Sequence, residues 1–510
     1  MENISVAVRD DATQIEEFAA KELAAYAGAM TDEKIGVVHS SPENAVHVGS
    51  LPDWVSSEEK ALILDDLSRL HNDGFIIRSI GGAVVIQGKT PRATLYGVYD
   101  YLRMLGARWY FPGREHEFVP KRHEIILKDV NAMEFPDMDH RSVVIHCGNS
   151  ALRDWIDFAA KTKLNAIHLH SDECIHQMPD LLAARGLDFG LRRHIFGETY
   201  SSDDEDGLES NGRILLDYIR SLPPQLNDFF LWPADRVLEL RDTEQGQLSL
   251  SDVVLTFTNE MLKTIRTIKP TARMSFLAYW STWDVPEVSQ PADGVFLELA
   301  PIHRCFSHAI ADPACSINAK EVLPVIEKLL RIFDPAESHV LGYWLDASLF
   351  GRGRYKDLSG RLPQMGETIR QDLEYYKGKG ISNISTFAVG LDKEYFSGFA
   401  SPTLFQYPEL LWNTEADLKS ELVNFCENYY GDGSLVEVFQ MKEQLEPKDI
   451  GSDNWGTIAG RFSHSASIVK DIRRNATDDT QILRLDKLMR ELRHMESWAG
   501  GMSKPDAKSL

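Results

Sequence analysis

At 510 residues, with 43% hydrophobic and 26% charged side chains, the chain has the make-up of a soluble globular protein of about two to four domains. Its formal charge of −23 argues against nucleic acid and anionic membrane as partners, since both demand basic patches. The five cysteines (Cys147, Cys174, Cys305, Cys315 and Cys426) are odd in number and scattered, with no C-x-x-C pair. That usage fits a reducing compartment and offers no metal-site spacing. The N-terminus has no basic stretch followed by an apolar core, and no apolar run approaches about 18 residues. The expected location is therefore cytoplasmic, with no membrane span.

Residues 1–128 read as a small α+β domain. Ile4–Val8 is a short strand, and Ile15, Phe18, Ala19, Leu23 and Tyr26 then recur at helical spacing. Ile35–Val38 and Ala45–Val48 are strand-like, and Gly74–Arg78 and Ala83–Gly88 form a hairpin about Gly81-Gly82. A helix follows, with Leu95, Val98, Leu102 and Leu105 on its apolar face and Gly106 as its stop. The aromatic cluster Trp109, Tyr110 and Phe111 comes next.

From about residue 136 to 400, strands and helices alternate. The strands are Ser142–Cys147, Ala166–His170, Phe189–Phe196, Phe229–Trp232, Met274–Trp280, Gly294–Ala300, Val340–Asp346 and Asn383–Val389. About eight strands with mostly helical connections over roughly 260 residues is the pattern of a (β/α)₈ TIM barrel. Residues 401–500 are helical: Leu404–Leu411, Leu418–Tyr430, Leu435–Gln444, Gly456–Ala476 and Thr480–Trp498.

The C-terminal ends of barrel strands are where this fold places its chemistry. Those ends carry His168 and His170, His194, Trp232 and Asp235, Tyr279 and Trp280, Glu298, His303 and Arg304, and Trp344 and Asp346. Each has a plainer use, as a hydrogen-bonded scaffold, a core aromatic or a helix cap. Together, carboxylates with Trp and Tyr platforms suit a sugar, whose apolar face stacks on aromatics while its hydroxyls bond to carboxylates and imidazoles. In Gly294–Ala300 strand alternation puts Phe296, Glu298 and Ala300 on one face, and a buried carboxylate there needs a partner or a task. In Val340–Asp346, Gly342, Trp344 and Asp346 share a face, so Trp344 could floor a subsite with Asp346 at its rim. His168-x-His170 with Asp172 and Glu173 resembles the His pair of barrel metallohydrolases, but it follows the second strand rather than the first. No metal and no cofactor is expected.

The run Pro91-Arg-Ala-Thr-Leu-Tyr-Gly-Val-Tyr-Asp-Tyr-Leu with Gly106-Ala-Arg-Trp-Tyr-Phe-Pro-Gly113 resembles the end of the N-terminal domain of β-hexosaminidases and α-glucuronidases. The barrel resembles the domain-of-unknown-function family 4838, some of whose members are similar to endo-β-N-acetylglucosaminidases. The motifs are Ser251-Asp252, Asn259-Glu260, Ala278-Tyr279, Pro291-Ala292-Asp293, Arg304-Cys305-Phe306-Ser307-His308, Cys315 and Asn318, Tyr343-Trp344-Leu345-Asp346, and Leu410-Leu411-Trp412-Asn413. The resemblance implies a glycosidase. β-Hexosaminidases carry adjacent Asp-Glu after the fourth strand, whereas here Asp235 is followed by Arg236. α-Glucuronidases spread carboxylates over the fourth, sixth and seventh strands, where Asp235, Glu298 and Asp346 fall.

The expectation is a glycoside hydrolase acting on a small oligosaccharide or glycan, N-acetylhexosamine-containing or otherwise. Asp235 is the leading candidate for general acid, and Glu298 and Asp346 for nucleophile, base or stabiliser. His170, His194, Trp232, Tyr279, His303, Arg304 and Trp344 would bind the sugar. The alternatives are an α-glucuronidase-like hydrolase of an acidic sugar, with Arg304 and the histidines holding its carboxylate, and a non-catalytic carbohydrate-binding barrel. The reading leaves room for a homo-oligomer.

Overall fold

The computed structural model describes residues 5–40, 42–125, 129–146, 148–196, 205–233, 249–350, 362–398, 401–445 and 455–502. The N-terminal part is a mixed sheet. Its strands are β1 (Ser5–Ala7), β2 (Gly36–Val38), β3 (Ala45–Val48), β4 (Phe75–Ile80) and β5 (Ala83–Gly88). The short pair β6 (Arg108–Trp109) and β7 (Glu117–Phe118) stands apart, and β8 (Asn131–Glu134) returns to complete the sheet in the order β2-β1-β3-β5-β4-β8. The β4–β5 hairpin turns through Gly81 and Gly82, both at positive φ (57° and 98°), a backbone that glycine adopts without strain. The helix Gln14–Thr31 starts at a capping box in which Thr13 and Glu16 satisfy each other's backbone N–H groups. It packs with Pro91–Met104 over the sheet, and Leu95, Val98, Leu102 and Leu105 are all fully buried. Ser57–Arg69, which hydropathy alone did not mark, is also helical; it buries only Ile63 and Leu67.

The barrel closes through β9 (His140–Ile145), β10 (Ala166–Leu169), β11 (Asp188–Phe196), β12 (Asp228–Pro233), β13 (Arg273–Ala278), β14 (Val295–Leu299), β15 (His339–Gly342) and β16 (Asn383–Phe387). Every pairing is parallel, and β16 returns to β9. Side chains alternate between the interior and the helix layer. In β14, Phe296 faces the interior apolar cluster, while Val295, Leu297 and Leu299 join the larger core beneath the helices.

The N-terminal sheet is locked to the barrel by a buried ion network. Asp73, 1% exposed, accepts from Arg141 Nη2 (2.7 Å), Arg92 Nε (2.9 Å) and Asn165 Nδ2 (3.2 Å). Burial alone would raise its carboxyl, but Arg141 and Arg92 together hold it below the usual range. The helix Thr403–Trp412 brings Trp412 onto Phe75, and Tyr110 and Phe111 pack against Phe405, Phe425 and Tyr429. The helices Trp455–Asn475 and Asp479–Met502 pair with each other beyond this junction.

Cys174 is disulfide-bonded, which departs from the reducing-compartment reading, while Cys305, Cys315 and Cys426 are free thiols. Among the described residues no helix is long and apolar enough to cross a membrane.

Candidate active site

A cavity of about 250 Å³ opens at the C-terminal mouth of the barrel. Successive strands bring three imidazoles to it: His146 follows β9, His170 follows β10, and His194 lies near the end of β11. His170 is the hub, with ring centres 5.1 Å from His146, 5.7 Å from His194, 5.6 Å from Trp232 and 5.2 Å from Phe387. Its Nδ1 lies 3.0 Å from the Arg192 carbonyl, which can only accept, so Nδ1 carries the proton. Trp232, Leu277, Leu341 and Phe387 give an apolar surface, and Tyr279, Ile302, Tyr343, Ser348 and Val389 complete the lining with Asp346.

Asp346 is the carboxylate among the described lining residues. It follows β15, four strands round the barrel from β11. Its Oδ1 accepts from Ser348 N (2.9 Å), Ser348 Oγ (2.6 Å) and Leu349 N (3.1 Å), capping the short helix Ala347–Phe350. All three bonds fall on one oxygen, so the carboxylate is oriented while Oδ2 has no partner among the described residues. Asp235, two residues beyond β12, lies outside the described residues.

Glu298 stands one layer deeper. It is 0% exposed, takes Arg192 Nε on Oε1 at 2.7 Å and Trp232 Nε1 on Oε2 at 2.8 Å, and does not line the cavity. Arg192 Nη2 donates to Ser385 Oγ (3.0 Å), which meets Ser142 Oγ at 2.6 Å. The buried carboxylate thus has a task other than sugar contact: it neutralises Arg192 and holds the Trp232 indole that forms the cavity surface. Below this lie His140, His168 and His339, around Phe230 and Phe296. His140 Nε2 is 3.0 Å from His168 Nε2. Burial, reinforced by Arg192, pushes His140 down to about 3 and His168 and His339 well below the ordinary imidazole value. His168 and His170 therefore sit on different layers and do not converge as a metal pair.

Three other candidates also stand away from the cavity lining. Trp344 is 1% exposed and donates Nε1 to Asp372 Oδ2 at 3.0 Å in the helix layer. Gly342 and Trp344 do share a face, but it is the one turned to the helix layer with Val340; Leu341 points inward, and Tyr343 carries that inward face on to the cavity. Arg304, 5% exposed, is spent on Asp372 and on the His308 carbonyl. His303 is exposed and sits 4.6 Å from the Trp280 ring; Trp280 is itself 47% exposed at φ +44°. His170, His194, Trp232, Tyr279 and Asp346 do share the cavity. His146 and Tyr343 were missed, although each extends the inward alternation of its strand, Ser142-Val144-His146 and His339-Leu341-Tyr343.

Comparison with known proteins agrees with this architecture. Residues 2–101 match the family model of the glycosyl hydrolase family 67 N-terminus, and residues 230–328 match that of the domain of unknown function DUF4838. No curated protein matches the chain. Among solved structures, a family GH115 4-O-methyl-α-glucuronidase with specificity for decorated arabinogalactans is similar at a TM-score of 0.66 and 12% identity, over 97% of this chain and 71% of that one. A GH84 protein, CpGH84B, is similar at 0.59 and 14%, over 99% and 88%. A β-N-acetylhexosaminidase from Bacteroides fragilis is similar at 0.53 and 12%, over 87% and 92%. Fold and matches together give the chain the architecture of these glycoside hydrolases. Within that class, the chain joins a family 67-type N-terminal domain to a barrel carrying a DUF4838 segment.

Proposed function

We propose that the protein hydrolyses a glycosidic bond of a small oligosaccharide or glycan in the cavity at the mouth of the barrel. The observation that carries this is Asp346, an oriented carboxylate facing an aromatic surface and three imidazoles in one concave site. Trp232 and Phe387 offer apolar surface to a sugar face, and His146, His170, His194, Tyr279 and Tyr343 offer polar atoms to its hydroxyls. Asp346 serves as nucleophile, base or charge stabiliser at the anomeric carbon. Asp235, by its place just after β12, is the general acid that protonates the leaving oxygen. The exposed pair Trp280 and His303, next in sequence to the lining residues Tyr279 and Ile302, forms an outer platform for a second sugar unit. Glu298 and Arg192 act on the sugar only through Trp232 and His170.

Asp346→Asn and Asp235→Asn, assayed on a panel of aryl glycosides that includes N-acetylglucosaminides and glucuronides, test the reading. Each variant is expected to lose about 10²–10⁴-fold in turnover while keeping its melting temperature. Wild-type rates in both would reject the assignment. Calorimetric binding of oligosaccharide with no product from the wild-type protein would make it a binding barrel. We further propose a cytoplasmic location, supported by the three free thiols and opposed by the Cys174 disulfide. Titration of the thiols in protein taken directly from cells separates the two, because a cytoplasmic chain should present all its cysteines reduced.

A further inference from the structure

The loop between β14 and Asn318 is braced from two sides. Arg304 Nη2 donates to Asp372 Oδ1 (3.0 Å) and to the His308 carbonyl (2.7 Å), and Asp372 also accepts from Ile310 N (2.7 Å). Asn318 is fully buried. It accepts from Cys305 N (2.8 Å) and donates to the carbonyls of Cys305 (3.0 Å), His308 (3.2 Å) and Ala309 (3.0 Å). This bracing folds the loop so that the sulfurs of Cys305 and Cys315 and a ring nitrogen of His308 all lie within 4.8 Å of one another. Cys305 Sγ and His308 Nδ1 are 3.2 Å apart.

From these contacts we infer that Cys305, His308 and Cys315 form a binding site for a zinc-class divalent cation. Tetrahedral zinc with bonds of about 2.3 Å to sulfur and 2.0–2.1 Å to nitrogen separates its ligand atoms by roughly 3.5–3.8 Å. The three atoms, all within 4.8 Å of one another and with Cys305 Sγ 3.2 Å from His308 Nδ1, lie close to that spacing. Two thiolates and one neutral imidazole match the cation in charge and softness. Both thiols lose their protons to solvent on binding. Cys315 is 5% exposed, whereas Cys305 and His308 are half-buried, which leaves a path for the ion and for a water in the fourth position. The spacing Cys-x₂-His-x₆-Cys escapes a search for C-x-x-C pairs because the histidine takes the second place.

None of the three ligands lines the cavity, so the role is structural. The same loop carries Ile302, which does line it, and Phe306, which packs on the cluster beneath it. A bound ion would cross-link the loop and fix that wall. The site is independent of the proposed hydrolysis, and its test needs no substrate.

Full-length protein is purified under reductant without chelator, and its metal content is measured by mass spectrometry after desalting. One zinc per chain is expected. Exchange with cobalt(II) should give a thiolate-to-metal charge-transfer band, and chelator should lower the melting temperature. Cys305→Ser, Cys315→Ser and His308→Ala should each abolish the stoichiometric ion, while Cys426→Ser retains it. Reduced wild-type protein that holds no stoichiometric metal, before or after reconstitution, overturns the site. So does retention of one ion by folded Cys315→Ser. Where a variant fails to fold, the cobalt band of the wild-type protein alone decides.

Discussion

At the scale of single residues, Glu298 is the instructive case. Its position on a barrel strand is that of a catalytic acid, but its surroundings are those of a support. Both oxygens are engaged inside the barrel, one by a guanidinium and one by an indole. Glu298→Gln conserves shape and removes the charge, which leaves Arg192 buried and uncompensated. Breaking a buried pair in this way costs about 3–5 kcal/mol. The expected result is a lower urea midpoint, with turnover falling only as far as Trp232 and His170 shift. A variant of unchanged stability that has lost all turnover would instead make Glu298 part of the chemistry. Trp280 gives the complementary test. Loss of a stacking platform worth about 0.5–1.5 kcal/mol should raise KM up to about tenfold in Trp280→Ala with kcat little changed. An unaltered KM on a substrate of several sugar units would remove the outer platform from the site.

At the scale of elements, the eight strands of the barrel were legible because short apolar runs alternate with helical periodicity. The inward faces were legible only in part. In β14 the lone charge of Glu298 marks the phase. In β15 it does not, since a parallel strand covered on both sides is apolar throughout, and Tyr343 and Trp344 are equally aromatic. A one-residue error there exchanges the two faces, which is how Trp344 was expected in the cavity and Tyr343 was not. His146 went unseen because the expected strand runs on to Cys147 and keeps it inside the run, whereas the strand ends at Ile145 and leaves His146 at its mouth. Arg304 and Asp372 are 68 residues apart, and no local pattern announces that pair. Gly342 is the residue that lets Trp344 fold back. A Cβ added there would lie 2.3 Å from the indole. Gly342→Ala should therefore displace Trp344 from Asp372 and cost about 1–3 kcal/mol, read by denaturation and by a change in tryptophan emission. Wild-type stability and emission would show that the indole has room to move.

For the whole molecule, the interior of the barrel sets the response to acid. His140, His168 and His339 are folded inside it as neutral rings, near Arg192, with Arg273 also acting on His339. In the unfolded chain each would take up a proton below about pH 6.5. In the folded chain burial delays this, for His140 to about 3. The unfolded state therefore binds more protons as pH falls through 6.5. The stability these rings contribute is complete above that value and is lost on the way down, by about 1.4 kcal/mol per pH unit for each ring. Two effects could mask the trend. Protonation of surface carboxylates relieves the repulsion implied by a net charge of −23, but that repulsion is screened within about 8 Å at physiological salt. The carboxylates held low, Asp73 and Glu409 (the latter at about 2), add to the loss only below about pH 5, as the unfolded chain begins to protonate them. Between pH 7.5 and 5.5 the histidines should dominate. The urea midpoint is expected to fall over that interval at constant m-value. His339→Phe, which keeps a ring against Phe230 and Phe296, should flatten the slope by about one proton. A midpoint that holds steady or rises towards pH 5.5 would mean that these imidazoles are charged or solvated in the folded protein, and the layered polar interior would have to be redrawn.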